Sequence, residues 1–426
     1  MMVAMSERPL AVLRPALGFP APIQTSLSNG CPVTLLPLAT ASVVCMEFWC
    51  QAGSLQELPG ESGLAHFLEH MVFKGSEGLG PGAFDLQIES LGGYSNAATG
   101  FDEVHYHLLL PPEGLGLACE LLPRLVLQPS LENAAFQLER QVVLEELAQS
   151  EDQPEELAFQ HLLSQACGSH GYGRPILGLK PDLLAHTPNS MGAFQQRNYR
   201  SDRCAVAVGG NFDPELLLAQ LEAGPIARLG RAAQASPRGS FNFQAGRQQL
   251  ALPRLESARL LMAWPCPAAR ELDALMGHEL WATVLAEGRR SRLVEELREK
   301  LQLVESIDLD IHPLEEGSLA ILEATTEPEN LPRVVEAVQQ VLQGVQEGIR
   351  PQELERAKRL LGHGHSFGLE ATSQVTHQLA QATLQGRLLD LDAPLQRLES
   401  WDLERLQALA PAWDPAQASV LEVLPA

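Results

Sequence analysis

The sequence lacks the features that mark secreted, membrane-spanning and disulfide-stabilised proteins. No stretch of its 426 residues approaches the roughly 18 apolar residues that a membrane-crossing helix needs. Residues 1–19 contain no basic segment followed by a long apolar core, so we expect no secretory signal. The seven cysteines are scattered, odd in number and without a CxxC pair, which argues against a disulfide framework or a zinc knuckle. We therefore expect a cytoplasmic protein with buried thiols.

Positive charge is also scarce. The chain has 30 Lys and Arg residues against 53 Asp and Glu, which gives a net charge of −23 at pH 7. This balance argues against binding to nucleic acid or to an anionic membrane surface. It is compatible with basic or extended peptides as partners. An equally open explanation is that the charge serves only to keep the surface soluble.

The chain is too long for one hydrophobic core and contains an internal repeat. A length of 426 residues predicts two or three domains. The segment 111–140 aligns without a gap to 327–356, and its Leu138-Glu139-Arg140 coincides with Leu354-Glu355-Arg356. The order of predicted elements is the same in both halves. We expect an α+β fold with two homologous domains, each a mostly antiparallel β-sheet with packed α-helices.

Local patterns suggest where these domains and their strands lie. A small, basic, weakly patterned segment predicts a linker at 224–245, between a domain at 1–223 and a second at 246–426. The β-rich segment 31–54 predicts paired strands, and the alternating segment 94–111 predicts further strands. A helix is expected from residue 63 to about residue 75.

The short stretch HFLEH raises the question of a metal site. His66 and His70 are four residues apart, so on a helix they lie on one face and can bind the same ion. Neutral imidazoles suit zinc. Glu69 lies beside the pair but points slightly aside, where it can act as a general base on a water molecule. The motif is short, and an ordinary amphipathic helix with two histidines remains an equal alternative.

A catalytic zinc needs a third protein ligand, and the segment 136–151 of a later long helix offers one. Glu139, Val142, Val143 and Glu146 form one helical stripe, which we expect to point inward. We assign Glu146 as the ligand because Glu145 is turned about 100° away. Glu139 lies roughly 10 Å along the axis from Glu146 and is better placed to assist the base or the water. A salt-bridged helix face is the alternative explanation for these acids.

Together these motifs resemble the pitrilysin/insulinase family of zinc peptidases with an inverted HxxEH motif. The resemblance is carried by SGLAHFLEHMVFKGS, LGGYSNAATGFDEVHYHLLLP and LERQVVLEEL, and it covers nearly the whole chain. In length the chain is most similar to the bacterial, mitochondrial-processing-peptidase-like branch. The resemblance implies that the protein is a zinc metalloendopeptidase with one zinc ion per chain. It also implies catalytic roles for Glu69 and Glu139. It places the zinc ligands on His66, His70 and Glu146, the general base on Glu69 and a supporting acid on Glu139.

The resemblance also implies a substrate site. The segment GGYSNAATG is similar to the family's substrate-edge strand, in which Asn96, Ala97 and Ala98 would line the cleft and pair with an extended peptide. A turn-capping side chain is the alternative for Asn96. Zinc would lower the pKa of a water molecule and polarise the scissile carbonyl, while Glu69 would accept the water proton and pass it to the leaving amine.

One departure from the family pattern lies in the second half. There the family has an arginine and, seven residues later, a tyrosine that stabilises the substrate carbonyl. Arg298 matches the arginine, but Glu305 occupies the tyrosine position. A glutamate at neutral pH cannot donate a hydrogen bond to an oxyanion unless its pKa is strongly raised. Arg298 is equally explained as a surface ion pair with Glu295 or Glu299.

We therefore expect a zinc metalloendopeptidase that hydrolyses extended peptides or small unfolded proteins. The missing tyrosine favours a heterodimer in which this chain is the zinc subunit and a sibling supplies the Arg/Tyr pair. A homodimer or monomer with weak or altered activity is the alternative. A catalytically silent structural or peptide-binding subunit of the same fold, including a metal-binding peptide chaperone, is the rival function.

Overall fold

The computed structural model describes residues 19–231, 241–387 and 390–426, which form two β-sheets with helices packed against them. The first sheet contains β1 (Ile23–Ser26), β2 (Pro32–Pro37), β3 (Val44–Cys50), β4 (Tyr94–Thr99), β5 (Val104–Leu110) and β6 (Cys204–Gly210). The second contains β7 (Gly246–Leu252), β8 (Ala258–Cys266), β9 (Ser306–His312), β10 (Ser318–Thr326) and β11 (Ser419–Pro425). The expected α+β class with two mostly antiparallel sheets is confirmed.

Fourteen α-helices lie in the described residues. Those of the first half are α1 (Leu64–Val72), α2 (Ala83–Ser90), α3 (Leu115–Leu127), α4 (Asn133–Glu151), α5 (Pro154–Cys167), α6 (Lys180–Ala185), α7 (Pro188–Asn198) and α8 (Pro214–Ala223). Those of the second half are α9 (Leu272–Ala286), α10 (Leu331–Gln343), α11 (Pro351–Gly368), α12 (Thr372–Leu384), α13 (Ala393–Glu399) and α14 (Leu403–Gln407). None of these helices is both long and apolar enough to cross a membrane. All seven cysteines are free and buried, as expected.

The strand order corrects one prediction. The sequence predicts that β2 and β3 pair with each other, and this is wrong. β6 lies between them, parallel to β2 and antiparallel to β3. Every residue of β6 is buried, and such a strand is suited to the middle of a sheet that is covered on both faces. A local pattern of two neighbouring strands does not reveal a third strand that is inserted from much later in the chain.

The internal repeat is confirmed by the arrangement of the elements. Helices α3 and α10 are both 13 residues long, and their first residues, Leu115 and Leu331, are paired by the ungapped alignment of the two halves. The second sheet has the order β7-β11-β8-β10-β9, which repeats the order β2-β6-β3-β5-β4 of the first. In each sheet the second strand of this order is parallel to the first strand and antiparallel to the third.

The two halves are interlocked because each covers part of the other half's sheet. Helix α5 shares an apolar cluster with the second sheet, in which Leu162 packs with Leu261 and Leu421. Helix α12 covers the first sheet through a cluster that contains Trp49 and Leu379. The predicted limits at 223 and 246 stay a prediction, and residues 232–240 of the predicted linker lie outside the described residues.

The helix that carries the HFLEH stretch begins at a close backbone contact. Gly63 has φ +82° and precedes α1, and a Cβ atom at this position would lie 2.6 Å from the carbonyl oxygen of Leu177. A residue with a side chain would therefore force the segment at Leu177 and Gly178 away. The carboxylate of buried Glu57 accepts hydrogen bonds from the backbone N–H groups of Gly63 (3.1 Å) and Ala65 (2.9 Å). These bonds satisfy donors that a helix start leaves free.

A polar joint connects the end of edge strand β4 to the second half. Asp102, in the β4–β5 turn, accepts hydrogen bonds from the Tyr172 hydroxyl (2.8 Å) and the Glu315 backbone N–H (3.1 Å). The same hydroxyl accepts the backbone N–H of Glu316 at 3.0 Å. Residues 315 and 316 lie in the turn between β9 and β10. The joint therefore fixes the β4–β5 turn against the corresponding turn of the other sheet.

Glu103, which follows Asp102 and is affected by the charges of the joint, makes a pH-dependent contribution to stability. Burial, together with the charges of Asp102 and Glu315, raises the pKa of Glu103 to about 7. The folded state therefore holds this proton to a higher pH than the unfolded chain does, so the glutamate lowers stability as pH rises from about 4.5 to about 7. Glu103→Gln should gain stability relative to wild type over this interval, by about 1–3 kcal/mol at its upper end. Urea unfolding at several pH values measures the difference.

Glu89→Gln, at an exposed position of α2, is the matched control for this measurement. The control should show a difference from wild type that changes little with pH. A difference for Glu103→Gln that does not change with pH would contradict the proposed effect of burial and of the Asp102 and Glu315 charges on Glu103.

Candidate metal centre

Two helices that are distant in sequence bring three metal-ligating side chains together. His66 and His70 lie on α1, and Glu146 lies on α4. Their ligand atoms lie within 4.8 Å of one another, and they form the one such group found among the described residues. Nε2 of His70 lies 3.3 Å from one oxygen of Glu146, and Nε2 of His66 lies 3.7 Å from the other. The sequence-based choice of Glu146 therefore agrees with the position of its side chain.

The donor set fits zinc. Ligands of a tetrahedral zinc ion at about 2.1 Å from the metal are about 3.4 Å apart. The distances of 3.3 and 3.7 Å, which run from the two histidine nitrogens to different oxygens of Glu146, lie on either side of this value. Two imidazoles and one carboxylate leave a fourth position free, which is typical of catalytic zinc sites. The Glu146 side chain is 42% exposed, so the site is open on one side.

Burial prepares His66 for this role. The residue is 7% exposed, and burial together with the neighbouring His70 lowers the pKa of His66 to about 4. The ring is therefore neutral at pH 7 and retains a lone pair for a metal ion.

Glu139 orients the second histidine. One oxygen of this buried carboxylate lies 2.9 Å from Nδ1 of His70, and the other lies 2.9 Å from Nζ of Lys74. A hydrogen bond at Nδ1 fixes the ring so that Nε2 faces Glu146, an arrangement common behind metal-bound histidines. The sequence predicts that Glu139 assists the base or the water. In the described contacts Glu139 lies against His70 and not against Glu69. This position suits a residue that orients a metal ligand.

The buried stripe on α4 is shifted from the predicted one, since two of the four predicted residues are not buried. Glu139 and Val143 are buried as expected. Val142 is 45% exposed and lies outside the buried face, which continues instead through Phe136 and Leu147. The buried face of α4 is therefore rotated about the helix axis relative to the face that the sequence predicts. Glu146 lies at the margin of this face, where a side chain can reach both a ligand partner and solvent.

Glu69 lies beside the cluster and outside the ligand set, as the spacing predicts. Its carboxylate accepts a hydrogen bond of 2.6 Å from the hydroxyl of Thr99, the last residue of β4. Burial raises the pKa of Glu69, the bond from Thr99 and the charge of His70 lower it, and Glu146 raises it. A carboxylate whose pKa is raised towards neutral pH is a better proton acceptor and donor than an ordinary surface glutamate.

The predicted substrate strand lies at the edge of the first sheet. β4 is the terminal strand of the described sheet and pairs with β5. Its side chains alternate, so Asn96 and Ala98 are exposed while Ala97 is partly buried on the opposite face. The Asn96 side chain accepts a hydrogen bond from the backbone N–H of Ala97 at 2.9 Å. The role of these three residues in peptide pairing stays a prediction.

Arg298 lies on a π-helix, Val294–Lys300, in the second half. Its guanidinium pairs with Glu299 at 3.0 Å, and the side chain is 37% exposed. Glu305 is exposed, and its backbone N–H donates to the Thr325 carbonyl at 2.9 Å. Among the described contacts, none joins Arg298 or Glu305 to the cluster of His66, His70 and Glu146. The surface ion pair considered for Arg298 is thus the contact that the structure contains.

Three residues important to this site are missed by sequence reasoning. They are Thr99, which bonds Glu69, and Glu57 and Gly63, which position the start of α1. Gly63, which precedes the HFLEH helix, could have indicated an unusual backbone conformation, because glycine readily adopts positive φ. Glu57 and Thr99 carry no comparable signal, because their partners are reached only through the fold.

The geometry agrees with what comparison to known proteins finds. Residues 33–180 match the family described as Insulinase (Peptidase family M16), and residues 186–361 match the Peptidase M16 inactive domain. A Mycobacterium leprae protein named as an uncharacterized zinc protease is 30% identical over 394 residues, which cover 91% of this chain and 88% of the relative. A Bacillus subtilis protein, also named as an uncharacterized zinc protease, is 26% identical and aligns over 90% of this chain and 93% of its own length.

Two solved structures share the fold. A protease from Helicobacter pylori has a TM-score of 0.88 at 24% identity, and the match covers 96% of this chain and all of that one. A Pseudomonas fluorescens protein described as a peptidase M16 inactive domain has a TM-score of 0.86 at 19% identity and covers 95% of this chain and 98% of its own. At these identities the likeness is evidence for the fold alone.

The contact between Glu139 and His70 predicts an effect on metal affinity. Glu139→Gln keeps the size of the side chain but removes the charge that faces His70 and Lys74. We expect zinc affinity to fall roughly 10- to 100-fold, as is typical when the partner of a ligand histidine is changed. Competition with a chromogenic zinc chelator measures it. Glu145→Gln, on the exposed side of α4, is the matched control, and equal affinities in both variants would contradict the orienting role of Glu139.

Proposed function

The chain belongs to the insulinase peptidase family M16, and from this premise we propose that it is a zinc metalloendopeptidase that hydrolyses extended peptides. The observation that carries the proposal is the position of Glu69 beside three side chains whose spacing suits zinc. Binding of zinc alone would need only the three ligands. A partly buried carboxylate next to them, outside the ligand set, supports hydrolysis as well.

His66, His70 and Glu146 would hold the zinc ion, with Glu139 orienting His70. When bound, zinc supplies Lewis-acid chemistry, since it lowers the pKa of a water molecule and polarises a carbonyl group. The protein's own contribution to the reaction comes from Glu69. Its carboxylate accepts a proton from water and then donates that proton to the leaving amine of the cleaved peptide bond.

The substrate class follows from the edge strand. β4 has one side without a partner strand in the described sheet, and an extended peptide can add to such an edge through backbone hydrogen bonds. Backbone pairing depends little on side-chain identity, so we propose extended or unfolded peptides as substrates. The net charge of −23 favours basic peptides among them.

The second half supports a partner subunit. Arg298 pairs with Glu299, and Glu305 occupies the position where the family resemblance implies a tyrosine. We propose that this chain acts in a dimer and that a homologous sibling supplies the missing donor to the substrate carbonyl. A homodimer or a monomer, with weak or altered activity, is the alternative. The location of the protein in the cytoplasm stays a prediction from the sequence.

The exposed Arg298 and Glu305 also favour a second candidate, a catalytically silent peptide-binding subunit of the same fold. This subunit would bind peptides at β4 without cleaving them. Cleavage assays of the zinc-loaded chain, alone and with a co-expressed homologous chain, distinguish the two candidates. Binding without turnover in both preparations would favour the silent subunit.

The proposed reaction predicts the effect of replacing the base. Glu69→Gln keeps the size of the side chain but cannot accept a proton at neutral pH, so kcat on an internally quenched peptide should fall by roughly 10²–10⁴. Zinc content per chain should stay near that of wild type because Glu69 is outside the ligand set. Glu145→Gln is the control and should retain activity. Undiminished cleavage by Glu69→Gln, or cleavage by zinc-free protein, would contradict the proposal.

A further inference from the structure

We propose that Thr99 is a positioning residue that holds the carboxylate of Glu69 in its working orientation and couples it to the edge strand β4. The inference rests on the proposed function, because it takes Glu69 to be the general base. It adds a residue that acts through the base and a physical connection between the base and the strand on which a peptide would lie.

The contact itself is short and specific. Oγ1 of Thr99 donates to Oε2 of Glu69 at 2.6 Å. It is the one hydrogen-bond donor found for this carboxylate among the described residues. Both side chains are partly buried, so water competes less for the bond than it would at an exposed site. The bond leaves Oε1 of Glu69 free to accept a proton.

Thr99 is held firmly enough to fix the direction of this bond. It is the last residue of β4 and pairs with Val104 of β5. The two residues that follow it are also fixed, since the Gly100 carbonyl accepts the Ser54 N–H at 3.1 Å and the Phe101 carbonyl accepts the Leu55 N–H at 2.8 Å. A β-branched side chain in a strand has few χ1 choices, so the hydroxyl has little freedom to turn away.

These contacts close a loop around Glu69. Ser54 and Leu55, which bond the residues after Thr99, are followed two residues later by Glu57. Glu57 accepts the N–H groups at the start of α1, the helix that carries Glu69. Thr99 then bonds Glu69 from the strand side. The base is therefore connected to β4 directly through its own side chain and indirectly through the contacts of residues 54–57.

This hydroxyl would align the base with a peptide that is bound at the strand edge. Such a peptide would form backbone hydrogen bonds along β4, which ends at Thr99. Because Thr99 is fixed in β4, the strand that positions such a peptide also positions the hydroxyl, and with it the carboxylate of Glu69. A base held in one orientation loses less entropy on reaching the transition state than a mobile one. Loss of the hydroxyl should therefore lower kcat more than it raises KM.

The experiment compares Thr99→Val, which keeps the shape but lacks the hydroxyl, with Thr99→Ser, which keeps the hydroxyl. Both are made in the full chain, loaded with zinc and assayed for kcat and KM on an internally quenched peptide. Zinc per chain and the Kd of the metal-free proteins for the same peptide are measured in parallel. Each variant is also combined with Glu69→Gln.

We expect Thr99→Val to lower kcat roughly 10- to 100-fold with KM, zinc content and peptide Kd within about twofold of wild type. Thr99→Ser should recover most of kcat. In the Glu69→Gln background, Thr99→Val should lower the residual rate no further, because Thr99 acts through Glu69.

Other results would overturn the inference. Equal losses in Thr99→Val and Thr99→Ser would assign Thr99 a packing role, and unchanged kcat in Thr99→Val would remove any role for its hydroxyl. Both results leave the proposed function intact, because wild type remains active. A zinc-loaded wild type that cleaves no peptide would instead overturn the proposed function together with this inference.

Discussion

The packing of α1 against α4 is the contact on which the rest of the site depends. Phe67 of α1 and Phe136 of α4 are fully buried, and their ring centroids lie 4.6 Å apart. Contacts of this kind contribute both the free energy of apolar burial and a defined geometry between aromatic rings. They hold the two helices in a register that brings the α1 histidines to Glu146. The polar groups of the site are therefore positioned by an apolar contact, which Phe67, the residue next to His66, makes with Phe136.

Contacts between residues close in sequence could be predicted at this site, whereas contacts between distant segments could not. The i, i+4 spacing of the two histidines is a local property, so their shared helix face was predictable. Helix periodicity and the family resemblance both predict Glu146 as the third ligand. Thr99 and Glu57 reach their partners through a strand edge and a turn, and no periodicity encodes such contacts. Val142 is predicted to be buried, but the buried stripe of α4 runs through Phe136, Glu139, Val143 and Leu147 and leaves Val142 to one side.

The fold can likewise be divided into features that the sequence predicts and features that depend on distant contacts. The internal repeat predicted two halves with one plan, and the matching positions of α3 and α10 confirm it. The insertion of β6 between β2 and β3 and the packing of α5 and α12 on the opposite sheets were not predictable, since they depend on contacts between segments far apart in sequence. This interlocking fixes the β4–β5 turn against the β9–β10 turn through Asp102 and Tyr172. The geometry near Glu69 therefore depends on both halves, although the candidate ligands all come from the first.

The central claim is that one zinc ion binds between α1 and α4. A crystal structure of the zinc-loaded protein, with data collected on both sides of the zinc absorption edge, tests it most directly. The account predicts one anomalous peak per chain, with His66, His70 and Glu146 at about 2.0–2.2 Å and Glu69 outside the ligand set. A zinc ion bound elsewhere, or no anomalous peak between the two helices, would contradict it.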